Sequence, residues 1–299
     1  MADPVSLLWI PATLFASAAQ TARNVMQRHL TEALGTLGAT SVRFIYGFPF
    51  GLLMVGIACL IAGKAPPVPD ATTLAWIATG AVMQIAATAF TLAAMRMKAF
   101  ALAIAYTKFE PVEVAIFAYF VLGETLSPIG FGAIVVATIG VLAMSGNPWR
   151  NGVDLGATTY GLLAGAGYGM AAVCYRAGIL ELGEPIFYLG ATTSLAYALG
   201  IQAALLVVWF AIRDPDVLKR VFAAWRKSIF AGAMGSFASG GWFVGFSRAP
   251  AALVRTLGLA EVLFSLIVGR NMLRQSLAPR EMAGVALIVA GVGGLLLFG

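Results

Sequence analysis

The chain has 299 residues, of which 60% are hydrophobic and only 11% charged, with a mean hydropathy of +0.90. A soluble domain carries about twice that share of charge, so the composition excludes a soluble enzyme or binding module and points to a chain embedded in a membrane. The formal net charge of +6 has no soluble domain through which to meet nucleic acid, and its basic residues read as headgroup-facing and topology-setting.

Ten apolar runs are predicted as membrane-spanning helices, at 6–27, 38–62, 72–94, 100–122, 128–145, 156–176, 186–212, 229–246, 250–268 and 281–298. Each is long enough to cross a bilayer as a helix. They are continuous rather than alternating, which favours helices over membrane strands. The first run is not expected to be a signal peptide, because it lacks a basic leading segment and carries Gln20, Arg23 and Asn24. Within it Thr13, Ser17, Gln20 and Asn24 fall on one helical stripe. His29, the only histidine, follows as a solvated residue at the end of the span.

The third run offers Gln84, Thr88 and Thr91 on one face. The fourth offers Tyr106, Glu110 and Glu113 at i, i+4 and i+7, with Thr107 and Lys108 beside them and Pro111 interrupting the backbone ladder. Residues 145–156 form a Gly/Asn/Pro-rich turn between two halves. The sixth run places Tyr160, Tyr168 and Tyr175 along one face, with Gly161, Gly165 and Gly169 at spacings of four. Residues 213–228 read as a short interfacial helix. The eighth run carries Ser236, Ser239 and Trp242, and the ninth Arg255 and Glu261. Cys59 and Cys174 fall inside spans, which argues against a structural disulfide, and neither has a metal-ligand pattern around it.

Polar side chains at lipid depth are costly and mark water or substrate, yet each stripe has a plainer reading. Small residues at spacing four permit close helix contact. Tyr160 and Tyr175, near span ends, suit an interfacial belt, while Tyr168 and Trp242 lie too deep for one. Glu110, Glu113 and Glu261 are candidates for taking a proton during transport; the competing reading is neutralisation by Lys108 or Arg255.

Two stretches about 150 residues apart match one another. Glu113-Val114 aligns with Glu261-Val262, Leu126-Pro128 with Leu277-Pro279, and Gly140 with Gly291. Two repeats follow, 1–148 and 149–299, each of five spans. An odd number of spans turns the second repeat over in the membrane. The expected fold is therefore an all-α polytopic membrane protein, ten transmembrane helices in two inverted five-helix repeats around a central cavity. Of the 19 Lys and Arg, 12 fall in odd-numbered connections and three in even-numbered ones, with Arg23, Arg43, Lys108 and Arg255 within or at the edge of spans. Taken alone, this distribution places both termini outside. No HExxH, paired CxxC, GxSxG or GxxxxGK[ST] pattern is present, so neither an enzyme, a cofactor nor an ATPase partner is expected.

Pro111 followed by LGETLSPIGFGAIVVATIGV at 122–141, together with SVRF at 41–44, resembles the ten-helix EamA branch of the drug/metabolite transporter superfamily. The resemblance covers nearly the whole chain. It weakens in the second half, where Glu124 has no acidic counterpart and Pro111 falls opposite Leu259. Within the superfamily the chain most resembles the YddG-type amino acid exporters, with Tyr168 and Trp242 at aromatic positions. The resemblance implies a monomeric exporter of aromatic and other neutral amino acids in a bacterial inner membrane, working by alternating access without a cofactor. It implies a cavity lined by spans one to four and six to nine, and termini in the cytoplasm, against the charge distribution. Gln20, Asn24 and Gln84 would bond the amino and carboxyl groups of the substrate, Tyr168 and Trp242 would stack on its side chain, and Thr88, Tyr106 and Ser239 would complete the site. Glu110, Glu113, Glu261, Lys108 and Arg255 would serve proton or charge coupling. Rival readings are a drug, purine or nucleotide-sugar carrier on the same scaffold, and a non-transporting membrane scaffold or sensor.

Overall fold

Helix-starting residues organise much of the chain. Asp70 accepts a hydrogen bond from the Thr73 amide at 2.8 Å, Ser127 from Gly130 at 2.9 Å, Asp154 from Ala157 at 2.9 Å and Asp214 from Val217 at 3.2 Å. Each satisfies an amide left open in a first helical turn. The computed structural model describes residues 7–95, 105–144, 154–273 and 279–298. Among them every regular element is an α-helix. The first six are α1 (Trp9–Ile45), α2 (Phe48–Ala62), α3 (Ala71–Met95), α4 (Glu110–Leu122), α5 (Pro128–Met144) and α6 (Leu155–Glu181). The others are α7 (Phe187–Arg213), α8 (Pro215–Ala223), α9 (Trp225–Arg248), α10 (Ala251–Leu257), α11 (Ala260–Leu273) and α12 (Pro279–Phe298).

Among the described residues, five stretches are long and apolar enough to cross a membrane: Leu34–Ala62, Ala71–Ala94, Phe187–Arg213, Trp225–Arg248 and Pro279–Leu297. Pro128–Met144 is apolar but shorter. These correspond to six of the predicted runs. The first run differs, because α1 continues past it to Gly35, where φ 69° and ψ 171° break the helix before its second arm leads into α2. Glycine reaches that positive φ without a Cβ clash. The ninth run is not one helix: α10 ends at Leu257 and α11 begins at Ala260.

The fourth run is broken in the same way. Its opening residues fall outside those described, residues 105–107 are helical, a two-residue turn at 108–109 follows, and α4 then starts at Glu110. Pro111 lies in the first turn of α4, where its missing N–H leaves no helical bond unmade. Tyr106 therefore precedes the break and does not share one continuous helical face with Glu110 and Glu113.

The predicted interfacial segment is α8. Val217 and Val221 bury against Leu30, Leu34, Val42 and Phe210, while Phe222 and Trp225 stay about half exposed, at 48% and 50%. Such amphipathic anchors suit a membrane surface. Leu60 and Ile61 of α2 are largely exposed as well, which is the expected state of lipid-facing side chains rather than a packing fault.

The chain divides into two compact units that do not coincide with its sequence halves. Unit 1 comprises Met1–Val82 with Cys174–Arg248, and unit 2 comprises Met83–Val173 with Ala249–Gly299. In unit 1, α1 packs along α9 and α2 along α7; a methyl at Gly241 would meet Ala12 O at 2.6 Å and Ala16 Cβ at 2.8 Å. In unit 2, α5 packs along α12 and α4 against α10.

Candidate functional site

The residues predicted for substrate binding separate by unit. Gln20, Asn24, Ser239 and Trp242 belong to unit 1, and Gln84, Thr88, Tyr106 and Tyr168 to unit 2. In unit 1 the Trp242 indole Nε1 donates to Gln20 Oε1 at 3.2 Å, fixing a buried ring of α9 against α1. Asn24 Oδ1 accepts from Arg23 Nε at 3.3 Å and Nη2 at 2.8 Å. Ser239 is half-buried on α9, three residues before Trp242. Ser17 of the α1 stripe turns back on its own helix, its Oγ donating to Thr13 O, as does the neighbouring Thr21 through Oγ1 to Ser17 O, both at 3.0 Å.

Arg23 and Arg43, which were not among the residues expected to bind substrate, also lie in unit 1. Arg23 is 7% exposed. Arg43 holds its guanidinium carbon 4.3 Å from the Phe44 ring centroid. Both run past Gly235 of α9. Tyr175 also departs from expectation. It is not an interfacial residue but is 3% exposed, accepts a hydrogen bond from Gln202 Nε2 at 3.0 Å, and packs on Phe243 at 4.7 Å between ring centroids. Tyr160 is 36% exposed and packs on Phe90 at 6.2 Å between ring centroids.

In unit 2, Thr88 and Tyr168 meet through their hydroxyls at 3.2 Å, and Thr88 Oγ1 also donates to the Gln84 carbonyl at 2.8 Å. The half-buried Gln84 thus reaches this pair through its backbone. Tyr106 stacks on Phe109 at 5.9 Å, just before α4.

The charged cluster is also in unit 2. Arg255 Nη2 lies 2.5 Å from Glu110 Oε1, both side chains largely buried, and Glu261 and Tyr168 act on the same guanidinium. Arg255 thus neutralises Glu110, while Lys108 makes no ion pair among the described residues. Glu113 lies against a different helix, α6. Its Oε2 is buried without a hydrogen bond among the described residues, and a methyl on Gly165 of α6 would fall 2.5 Å from it. Gly165, read from sequence as a small contact residue, is the clearance for that carboxylate. Glu110 and Glu113 lie in the first turn of α4, and Glu261 in the first turn of α11, where the open amides of a helix end favour negative charge.

Glu124 of the LGE segment has a structural task. Its Oε2 accepts from the Ala251 amide at 3.3 Å, at the start of α10. Among the described residues no group of three His, Cys, Asp or Glu is arranged to hold a metal.

The EamA-like transporter family aligns with the chain twice, over residues 7–146 and 156–297. The chain belongs to the EamA-like transporter family. As a member of that family it is a transporter of the drug/metabolite superfamily, carrying the EamA domain in duplicate. No curated protein shows significant similarity to this EamA-like chain. One solved protein crystal structure is similar over 100% of both chains, with a TM-score of 0.73 at 17% identity. At that identity the likeness shows the fold alone.

Proposed function

We propose that this EamA-like protein exports small metabolites, chiefly aromatic and other neutral amino acids, across a bacterial inner membrane by alternating access. The reading takes residues 1–148 and 149–299 as inverted repeats of five spans each, and the protein as a monomer. The observation that carries it is the fixed presentation of aromatic groups: Gln20 holds the Trp242 indole at 3.2 Å, and Thr88 meets the Tyr168 hydroxyl at 3.2 Å. A ring held by its polar edge keeps its face for an apolar or aromatic side chain. Gln20, Asn24 and Gln84 are assigned to the amino and carboxyl groups, with Ser239 and Tyr106 supporting.

Coupling is assigned to Glu113. Its Oε2 is buried without a hydrogen bond among the described residues, so a proton placed there displaces no partner. Glu110 is already answered by Arg255, so it serves as the fixed charge of the cluster.

The test is uptake of labelled phenylalanine, threonine and glutamate into proteoliposomes, with and without a pH gradient, against empty liposomes. Saturable uptake of phenylalanine and threonine that neutral amino acids compete away is the expected result. Absence of flux for all three, with saturable flux of a labelled purine, nucleotide sugar or drug, would replace the substrate assignment. Absence of any flux would favour a scaffold or sensor.

A further inference from the structure

The end of α7, all of α8 and the start of α9 form one corner of unit 1. Its inner side is firmly held. Val217 and Val221 of α8 bury against Leu30 and Leu34, before the break of α1 at Gly35, and against Val42 after it. A methyl on Gly38 would fall 3.5 Å from each of these valines. The Tyr46 hydroxyl, just past α1, donates to the Val221 carbonyl at 3.0 Å. The short helix therefore rests on both arms of α1.

The outer side is open and positive. Residues 213–227 carry five cations (Arg213, Lys219, Arg220, Arg226 and Lys227), all exposed, and two carboxylates, Asp214 and Asp216. Asp214 caps the Val217 amide, and Asp216 pairs with Lys219 at 3.2 Å. Arg213, Arg220 and Lys227 form no ion pair among the described residues, and Arg226 lays its guanidinium carbon 5.3 Å from the Trp225 ring centroid. A ring face orients a guanidinium without cancelling its charge. These charges flank a helix of nine residues, about 13 Å long.

Their depth follows from the helices on either side. The exposed side chains that precede them on α7 include Val208, Trp209 and Ile212, and those that follow on α9 include Ile229 and Phe230. Both helices are long and apolar enough to cross a membrane. The cations thus stand where two lipid-facing surfaces end, with the exposed rings of Phe222 and Trp225 among them, which is the level of the headgroups. Each Lys or Arg at that level raises affinity for an anionic surface about fivefold. An acidic protein would answer the charges but not the rings, whereas a phospholipid answers both, phosphate to cation and chain to ring. We propose that this corner is a binding surface for the headgroups of anionic phospholipids. Such binding is independent of the substrate carried. Because α8 rests on both arms of α1, a lipid that holds α8 in place stabilises the folded chain.

The experiment measures thermal unfolding of the purified full-length protein in detergent, titrated with phosphatidylglycerol or with phosphatidylcholine of the same acyl chains. Phosphatidylglycerol is expected to raise the midpoint saturably and phosphatidylcholine to do so less. Combined Arg213→Gln, Arg220→Gln, Arg226→Gln and Lys227→Gln should raise the half-saturating phosphatidylglycerol concentration about tenfold or more. Combined Arg213→Lys, Arg220→Lys and Arg226→Lys, which keeps the charge, should leave it nearly unchanged. Exposed substitutions seldom unfold a protein, and equal midpoints of wild type and variants in phosphatidylcholine check that here. The wild type gives a second reading that needs no variant: about 1 M salt, which shortens the screening length to about 3 Å, should remove the advantage of phosphatidylglycerol.

Equal stabilisation by the two lipids, or a phosphatidylglycerol effect unchanged in the glutamine variant or in high salt, would overturn the proposal. So would loss of the effect in the lysine variant, which would make the arginines structural. Glycerol 3-phosphate stabilising as well as phosphatidylglycerol would make the corner a site for free phosphate esters. A glutamate-rich peptide stabilising where phosphatidylglycerol does not would make it a surface for an acidic protein. Either result removes the lipid assignment.

Discussion

Glu110 and Glu113 are three residues apart on one helix and have opposite circumstances. Glu110 is paired with Arg255 at 2.5 Å, with side-chain exposures of 13% and 20%. Removing one partner of such a pair leaves a charge stranded in an apolar setting, at a cost of about 3 kcal/mol for burial short of complete. Arg255→Ala should therefore lower the thermal unfolding midpoint strongly, whereas Glu110→Ala with Arg255→Ala should cost less than the two single changes added together. A double-mutant cycle reads this directly; additive losses would show that the pair contributes nothing. Among the described residues Glu113 has no such partner, and its amide isostere should fold. Glu113→Gln should retain counterflow exchange of labelled phenylalanine but lose uptake driven by a pH gradient. Equal loss of both would mean a structural role, and retention of both would remove Glu113 from coupling. The glutamates were legible because a carboxylate in an apolar run has few tolerable explanations. Which of them is neutralised was not, because Arg255 approaches from a helix far along the chain.

At the scale of elements, the crossing of α5 and α12 depends on bare backbone. A methyl at Gly140 would meet Gly284 O at 2.7 Å and Ile288 N at 2.8 Å, and one at Gly291 would meet Ala133 O and Ala137 N at 2.6 Å. The obstacles are backbone atoms, so relief requires the helices to separate. Gly140→Ala and Gly291→Ala should destabilise by about 3 kcal/mol, the upper end for overpacking. Gly132 on α5 and Gly293 on α12 have nothing within 4 Å of a built Cβ. Alanine there should be neutral or stabilise by up to about 1 kcal/mol. Unfolding midpoints of the four variants test the contrast, and equal effects at all four positions would defeat it. Repeat alignment of Gly140 with Gly291 pointed to a shared role, but sequence spacing alone could not say that the two glycines meet the same crossing. The helix breaks show the same boundary of legibility. Pro111 is visible in the sequence as an interruption. The equivalent break at Gly258–Leu259 carries no proline, both α10 and α11 are apolar, and the run reads as a single span. Arg23 and Arg43 were visible only as charges inside spans, since it is the break at Gly35 and the packing of α1 along α9 that bring them to Gly235.

At the scale of the whole molecule, the sequence halves and the compact units are different partitions. Within unit 1, α1 from the first half packs along α9 from the second; within unit 2, α5 packs along α12 and α4 against α10. In a bilayer, separated apolar faces are covered by lipid at little cost, so dependence between the halves comes from polar pairs. Gln20 with Trp242, Thr88 with Tyr168, Glu110 with Arg255 and Glu124 with Ala251 each join one half to the other. A chain of residues 149–299 alone would hold Arg255 in a membrane helix without Glu110, which costs about 2.5–3.5 kcal/mol at mid-membrane depth. Neither 1–148 nor 149–299 is therefore expected to purify as a monodisperse species when expressed by itself. Expressed together, with an affinity tag on one only, they should copurify and recover the ligand-induced stabilisation of the intact chain. Glu110→Gln in the first half should weaken that recovery, because it withdraws the charge that Arg255 needs. A half-chain that folds stably alone, as a monomer or paired with itself, would show that the polar contacts between halves are dispensable.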